Sequence, residues 1–138
     1  MIQRKFRILC HTESDINEHL PTMSVYASEC ESVLELGVRG CVSSWAFANG
    51  LLNNDSAKKQ LILNDINECD ISELIRVNDN QMDIQYAWCN DLDLIIPFSV
   101  GITFIDTWHV YGQLKRELDK FAPITNKYII MHDTTVDE

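Results

Sequence analysis

The sequence predicts an α/β fold in which a doubly wound parallel sheet of five strands carries helices on both faces. Five short apolar runs alternate with stretches in which apolar residues recur every three or four positions. Strands that alternate with helices form parallel sheets, because each parallel connection needs a crossover. The 138 residues, 46% of them hydrophobic, are enough for one such domain. We expect the strand order 3-2-1-4-5 of a Rossmann-like sheet.

The five strands are assigned to the apolar runs. In chain order these are Ser32–Leu36, Leu61–Asp65, Met82–Trp88, Val100–Ile105 and Lys127–Met131. The third run alternates polar and apolar residues, which is typical of a strand with one covered face. The fifth run would lie at the sheet edge, and it is apolar enough to be buried on both faces.

Helices are predicted between the strands. One spans Val42–Leu52, and a second begins near Asp70. A third carries Val110, Leu114, Leu118 and Phe121 on its inner face, with Glu117 among the charged residues of the other face. A further helix is expected within residues 16–30. We therefore divide the chain into an N-terminal helical segment, residues 1–31, and a sheet domain, residues 32–138.

Charge and cysteine usage exclude several classes of partner. The formal net charge is −10, from 11 basic and 21 acidic residues. Such a surface repels phosphate groups, so we expect neither nucleic acid nor an anionic membrane as a partner. The five cysteines form no CxxC pair and their number is odd, which favours free thiols and a cytoplasmic location. A neutral or cationic small molecule is the partner that this charge favours.

The first two strand ends carry a candidate ligand site. Gly37 and Gly40 lie in the loop after the first strand, and this loop opens a helix whose N–H groups favour a carboxylate or phosphate. Asp65 ends the second strand, where an acidic residue can accept hydrogen bonds from ribose hydroxyls. The alternatives are a plain strand-to-helix turn and a solvated aspartate.

The remaining strand ends are also polar. Asn90 and Asp91 follow the third strand; they could contact a purine, although Asn-Asp is also a common turn. Asp106 and His109 follow the fourth strand, and His132 and Asp133 follow the fifth. In the order 3-2-1-4-5 these two strand ends are neighbours. The two carboxylates could hold a hard cation such as Mg2+, and the histidines are candidate general bases. Alternatively, Asp106 caps the helix that begins near Val110.

Together these residues resemble the class I S-adenosylmethionine-dependent methyltransferases. The resemblance is greatest to small-molecule O-methyltransferases of the catechol O-methyltransferase type and to related sugar and antibiotic O-methyltransferases. It runs from about Val33 to Asp133. It implies that the cofactor is bound by residues of the first four strand ends, namely Glu35, Gly37, Gly40, Ser43, Asp65, Asn90, Asp91 and Trp108.

The resemblance also implies roles at the last two strand ends. In this family the acidic residues at the ends of the fourth and fifth strands can bind a metal ion, so Asp106 and Asp133 would bind one. His109 would stand where the family has a basic residue. Two positions depart from the family pattern: Cys41 replaces a usual glycine, and Thr134 stands where metal-dependent members carry Asn or Asp. The family also continues with two more strands, so we expect the chain to lack part of the usual sheet.

The leading hypothesis is an S-adenosylmethionine-dependent methyltransferase that acts on a hydroxyl of a small molecule or sugar. His109 or His132 would remove the hydroxyl proton, and a cation at Asp106 and Asp133 would lower its pKa. Two alternatives stay open at this point. One is a non-catalytic module that binds the cofactor, and the other is a metal-dependent hydrolase that uses the four residues of the last two strand ends.

The fifth strand predicts self-association. An edge strand leaves N–H and C=O groups unpaired, and an apolar edge tends to pair with another chain. We expect a homodimer through this edge, with coverage by the N-terminal segment as the main alternative.

Overall fold

The computed structural model of the chain describes residues 1–133 and contains the predicted sheet. All neighbouring strands are parallel, and their order is β3-β2-β1-β4-β5. The strands are β1 Ser32–Leu36, β2 Gln60–Asp65, β3 Asp83–Trp88, β4 Val100–Ile105 and β5 Thr125–Met131. The predicted fold class and strand order are therefore confirmed.

Five α-helices surround the sheet. They are α1 Ile2–Cys10, α2 Leu20–Ser28, α3 Ser43–Leu52, α4 Ser72–Asn78 and α5 Tyr111–Phe121. The helix expected within residues 16–30 is α2, preceded by a short 3₁₀ turn at Asn17–His19. Helix α1 was not predicted, although Ile2, Phe6 and Leu9 recur with helical spacing and pack against the core.

The sheet separates two hydrophobic clusters, because successive side chains of a strand point to opposite faces. Val33, on one face, belongs to the cluster that contains residues of α1 to α4. Leu34 and Leu36, on the other face, belong to the cluster that Phe121 of α5 completes. Helices α2 and α3 pack together, and Leu20 and Met23 of α2 belong to the same cluster, so the N-terminal segment helps to cover the first face of the sheet.

Strand β5 is only half covered, which corrects the expectation that both of its faces are buried. Ile129 and Met131 are exposed, whereas Tyr128 and Ile130 pack against the core. The N-terminal segment reaches this strand. The rings of Tyr26 and Tyr128 meet edge to face with centroids 4.7 Å apart, and the Tyr128 hydroxyl donates a hydrogen bond to Glu29.

Within residues 1–133, the helices are all too short or too polar to cross a membrane.

The fold brings the carboxyl ends of β1 and β4 together at a switch point. The chain leaves β1 toward α3 on one face of the sheet, and it leaves the adjacent β4 toward α5 on the other face. Two connections that diverge from neighbouring strands leave a crevice between them, which is where doubly wound sheets bind ligands.

Candidate functional site

A cleft of about 440 Å³ occupies this crevice. Six of the predicted site residues line it, namely Gly37, Asp65, Asn90, Asp91, Asp106 and Trp108. Six further lining residues were not predicted, namely Arg39, Asn64, Ile66, Asn67, Thr107 and Gln113. The lining of the cleft therefore comes from residues at or just after the ends of β1, β2, β3 and β4, and from Gln113 of α5.

Gly37 shapes the cleft by turning the chain sharply after β1. Its φ is +91°, a left-handed conformation that glycine adopts without strain. A Cβ at this position would lie 2.1 Å from the carbonyl oxygen of Asp106. The ends of β1 and β4 can approach this closely only because residue 37 has no side chain. A Cβ at Gly40 would meet no atom within 4 Å, so residue 40 is not constrained in this way.

Asp65 anchors the loop that follows Gly37. Its Oδ2 accepts hydrogen bonds of 2.9 Å from the backbone N–H groups of both Val38 and Arg39, and its Oδ1 accepts one of 2.8 Å from Asn67. Burial raises the pKa of Asp65, but the three N–H donors outweigh burial and hold the pKa below its ordinary value. The carboxylate therefore stays charged and fixes two loops at the wall of the cleft.

Glu35 lies beneath this loop, completely buried. The hydroxyls of Ser43 and Ser44 both donate hydrogen bonds to its carboxyl group, the second over 2.6 Å. Burial raises the pKa of Glu35 to about 8, although the two serine hydroxyls oppose the shift. Ser43 and Gly40, which the resemblance places at the cofactor, line a smaller cavity of about 120 Å³ beside the cleft.

Two neighbouring carboxyl groups, those of Asp91 and Glu117, lie beside the cleft, and Asp91 belongs to its lining. The Gln113 amide donates to Asp91 Oδ1 over 3.1 Å and to Glu117 Oε1 over 3.0 Å, and the Thr107 hydroxyl also donates to Glu117. Among the described residues, Asp91 Oδ2 and Glu117 Oε2 have no hydrogen-bond donor. Burial and the neighbouring Asp91 raise the pKa of Glu117 to about 7, so a large fraction of Glu117 is protonated at neutral pH.

Glu117 also corrects the sequence-based assignment of α5. It was placed on the charged outer face, but it is fully buried and accepts hydrogen bonds from Thr107 and Gln113, which line the cleft. Its position three residues after Leu114 and four before Phe121 was the signal that the helix turns it inward.

Asn90 and Trp108 stand at opposite sides of the cleft. Asn90 caps a short 3₁₀ turn, with its Oδ1 accepting a hydrogen bond from the backbone N–H of Leu92. Trp108 is 73% exposed, so its indole ring presents an uncovered face at the entrance. An exposed indole beside a polar cleft is suited to stack on a planar ligand.

A cluster of two aspartates and two histidines follows β4 and β5. Asp106 Oδ1 lies 3.3 Å from both His109 Nε2 and His132 Nδ1, and Asp133 Oδ2 lies 3.2 Å from His132 Nδ1. The side chain of Asp106 is 11% exposed and that of His132 is 8% exposed, whereas His109 is 29% exposed. The predicted proximity of Asp106 and Asp133 is present: with His109, their ligand atoms lie within 4.8 Å of one another.

Asp106 is not a helix cap. Helix α5 begins at Tyr111, its N-cap residue is Val110, and no side chain caps it. The alternative role for Asp106 is therefore wrong, and its carboxylate is available to the cluster.

The two departures from the family pattern are at Cys41 and Thr134. Cys41, in place of a glycine, is buried and has a φ of +61°, so it holds a left-handed conformation that glycine would adopt more easily. Thr134 lies outside the described residues.

Comparison with solved structures identifies the class of fold. A proposed caffeoyl-CoA O-methyltransferase from Staphylococcus aureus matches with a TM-score of 0.57 and 17% identity, over 83% of this chain and 56% of that chain. A proposed O-methyltransferase from Klebsiella pneumoniae matches with a TM-score of 0.54 and 18% identity, over 94% and 63%. Protein arginine methyltransferase 10 from Arabidopsis thaliana matches with a TM-score of 0.50 and 12% identity, over 84% and 34%.

The chain therefore has the fold of class I S-adenosylmethionine-dependent methyltransferases, and it spans about 56–63% of the length of the two bacterial proteins. No family model and no curated protein matches the sequence.

Proposed function

We propose that the chain binds S-adenosylmethionine and transfers its methyl group to a hydroxyl of a small molecule or sugar. One observation carries the proposal: a cleft at the switch point of a methyltransferase-type sheet is bounded by the Gly37 turn and by the charged Asp65. A hydrolase would use the Asp106 cluster but would give the Gly37 turn and Asp65, at the other side of the cleft, no role in its reaction.

The residues of the cleft fit the cofactor. Gly37 leaves a surface that a side chain would fill, and the side chain of Asp91 lines the same cleft. Asp65 would contact the ribose, and Asn90 and Asp91 the adenine. The Ser43 hydroxyl donates to Glu35, so the backbone N–H of Ser43, at the start of α3, would contact the methionine carboxylate. Aspartates along the cleft suit a ligand whose sulfur carries a positive charge.

S-adenosylmethionine supplies an electrophilic methyl group when it is bound. The chain supplies a base, and His109 is the better placed of the two histidines because its side chain is more exposed. Asp106 and Asp133 flank His109, at 3.3 and 3.9 Å, and would stabilise the imidazolium that forms when it takes the hydroxyl proton. His132 lines the same side of the fold but is the more enclosed of the two, with a side chain that is 8% exposed.

Space for the acceptor adjoins this base. A cavity of about 200 Å³ contacts His109 and shares Thr107 and Trp108 with the cofactor cleft. A molecule in this cavity would lie beside both His109 and the cofactor, and such alignment contributes much of the rate of a two-substrate reaction. A Mg2+ ion between Asp106 and Asp133 stays a prediction.

Replacing Asp65 with alanine tests cofactor binding. We expect affinity for S-adenosylmethionine to fall by about 10–100-fold, because a charge-assisted hydrogen bond is worth about 1.5–3 kcal/mol. The variant also loses three backbone hydrogen bonds, so we expect lower stability as well. Titration calorimetry of the folded variant, checked by circular dichroism, measures the affinity.

The matched control is Asp70→Ala, which removes an exposed aspartate from the loop that follows the same strand. Equal affinities of Asp65→Ala and the parent chain, or no binding by the parent chain, would contradict the assignment.

Methylated product, measured by mass spectrometry with candidate hydroxylated acceptors, separates a catalytic chain from a module that only binds the cofactor.

We also propose that the chain is cytoplasmic and that two copies associate through β5. The exposed Ile129 and Met131 on an edge strand support association. We expect light scattering to give a mass that rises from monomer to dimer with concentration. Replacing Ile129 with lysine should keep the chain monomeric, and a monomer at all concentrations for the parent chain would refute the dimer.

A further inference from the structure

We propose that Asp15, His132 and Asp133 form a site for a divalent transition-metal ion that takes imidazole ligands. Asp15 belongs to the N-terminal segment, whereas His132 and Asp133 directly follow β5. One ligand atom from each of these side chains lies within 4.8 Å of the other two. The site shares Asp133 with the predicted Mg2+ pair of Asp106 and Asp133, but its other ligands are His132 and Asp15, and it does not depend on methyl transfer.

The contacts of the His132 ring are longer than strong ion pairs. Nδ1 lies 3.2 Å from Asp133 Oδ2, and Nε2 lies 3.3 Å from the backbone carbonyl oxygen of Asp15. Charge-assisted N–H···O hydrogen bonds are about 2.7–2.9 Å long. Two ligands of a tetrahedral ion with bonds of about 2.0–2.2 Å lie about 3.3–3.6 Å apart. The spacing of His132 and Asp133 is therefore close to that of ligands that share one ion.

Negative charge accumulates around this ring. Three carboxylates, those of Asp15, Asp106 and Asp133, surround an imidazole that is 8% exposed. The Arg39 guanidinium lies 3.8 Å from Asp15, but both side chains are more than half exposed, so solvent screens this pair. A divalent cation would offset the repulsion among the carboxylates.

The donor set selects the kind of ion. Mg2+ prefers six oxygen ligands in an octahedron, whereas Zn2+ combines imidazole nitrogen with carboxylate oxygen in sites of low coordination number. With Nδ1 on the ion, the Nε2–H group would donate to the backbone carbonyl oxygen of Asp15, 3.3 Å away, which would hold the ring in orientation as backbone carbonyls do for metal-bound histidines. The imidazole therefore points to Zn2+ or a similar ion, and away from Mg2+.

The site faces a cavity of about 380 Å³ between the N-terminal segment and β5. His19, whose ring centroid is 5.9 Å from that of His132, and the apolar Met23 and Phe104 line the same cavity. Three protein ligands beside a cavity leave a coordination position open to a water molecule or another ligand. A bound ion would also join the N-terminal segment to the end of the sheet.

Zn2+ binding to the full chain, measured by competition with a chromophoric chelator, tests the site. We expect one equivalent to bind at least on the order of 100-fold more tightly than Mg2+. His132→Ala should weaken Zn2+ binding by about 100-fold and Asp15→Asn by about 10-fold. His11→Ala is the matched control, because it removes an exposed imidazole at the end of α1 and should leave the affinity unchanged.

The five thiols of the chain require a separate readout. We expect Co2+ in place of Zn2+ to give visible d–d absorption without the thiolate charge-transfer band that cysteine ligands produce. Affinity unchanged in both His132→Ala and Asp15→Asn, a thiolate band, or no preference for Zn2+ over Mg2+ would overturn the site. The Asp15→Asn variant changes an exposed side chain, which guards against loss of the fold.

The same variants separate this site from the proposed function. Calorimetric binding of S-adenosylmethionine should be retained in His132→Ala, because His132 lines neither the cofactor cleft nor the adjoining cavity of Gly40 and Ser43. Zn2+ binding without cofactor binding would leave the metal site standing while the methyltransferase proposal fails.

Discussion

Replacing Gly37 with alanine should destabilise the chain by about 2–4 kcal/mol and close the cofactor cleft. The new Cβ would lie 2.1 Å from the Asp106 carbonyl oxygen, which belongs to the backbone and cannot turn away as a side chain could. Residues 37 and 106 directly follow the parallel strands β1 and β4. The left-handed φ of +91° adds strain for any side chain. Relief requires that the ends of β1 and β4 separate, which would move Asp106 out of its cluster.

Chemical denaturation, followed by tryptophan fluorescence, measures the loss of stability. Gly40→Ala is the matched control within the same loop, because a Cβ there meets no atom within 4 Å and should change stability little. Cofactor affinity should fall for Gly37→Ala even under conditions where it is folded. If both variants were equally stable, the close approach of the two strand ends would not constrain residue 37.

The sequence predicted the sheet well because its strands are nearly continuous apolar runs separated by helices. Residues immediately after strands were predicted to converge, and Gly37, Asp65 and Asp106 do line one cleft. This inference needs only the rule that the carboxyl ends of parallel strands share one edge. It needs no knowledge of side-chain packing.

The residues that were missed act through tertiary contacts. Asp15 joins the cluster from a segment that is far away in sequence, and its local sequence gives no sign of this. Gln113 and Glu117 approach the cleft only because α5 lies on the sheet with that side inward. Helix periodicity could have shown that Glu117 faces inward. It could not have shown that Asp91 is its partner, because strand β4 lies between the two residues in the sequence.

Replacing Glu35 with glutamine should remove a strong pH dependence of stability. The carboxyl group ionises near pH 4.5 when exposed, whereas burial raises the pKa of Glu35 to about 8 in the folded chain. Between these values the folded state binds more protons than the unfolded state, so stability falls as the pH rises from about 4.5 to 8. The shift corresponds to about 4–5 kcal/mol. Glutamine stays neutral; its amide oxygen can accept a hydrogen bond from one of Ser43 and Ser44, and its NH2 group can donate to the other.

Urea denaturation at a series of pH values from 5 to 8.5 gives the free energy of unfolding for the parent chain and the variants. We expect Glu35→Gln to match the parent chain near pH 5 and to exceed its stability by several kcal/mol near pH 8. Glu117→Gln should show a smaller effect of the same sign, since the pKa of Glu117 is raised to about 7. Glu68→Gln changes an exposed carboxylate and serves as the control. A parent chain whose stability rises from pH 5 to pH 8 would show that Glu35 is ionised in the folded state, and that burial does not govern its protonation.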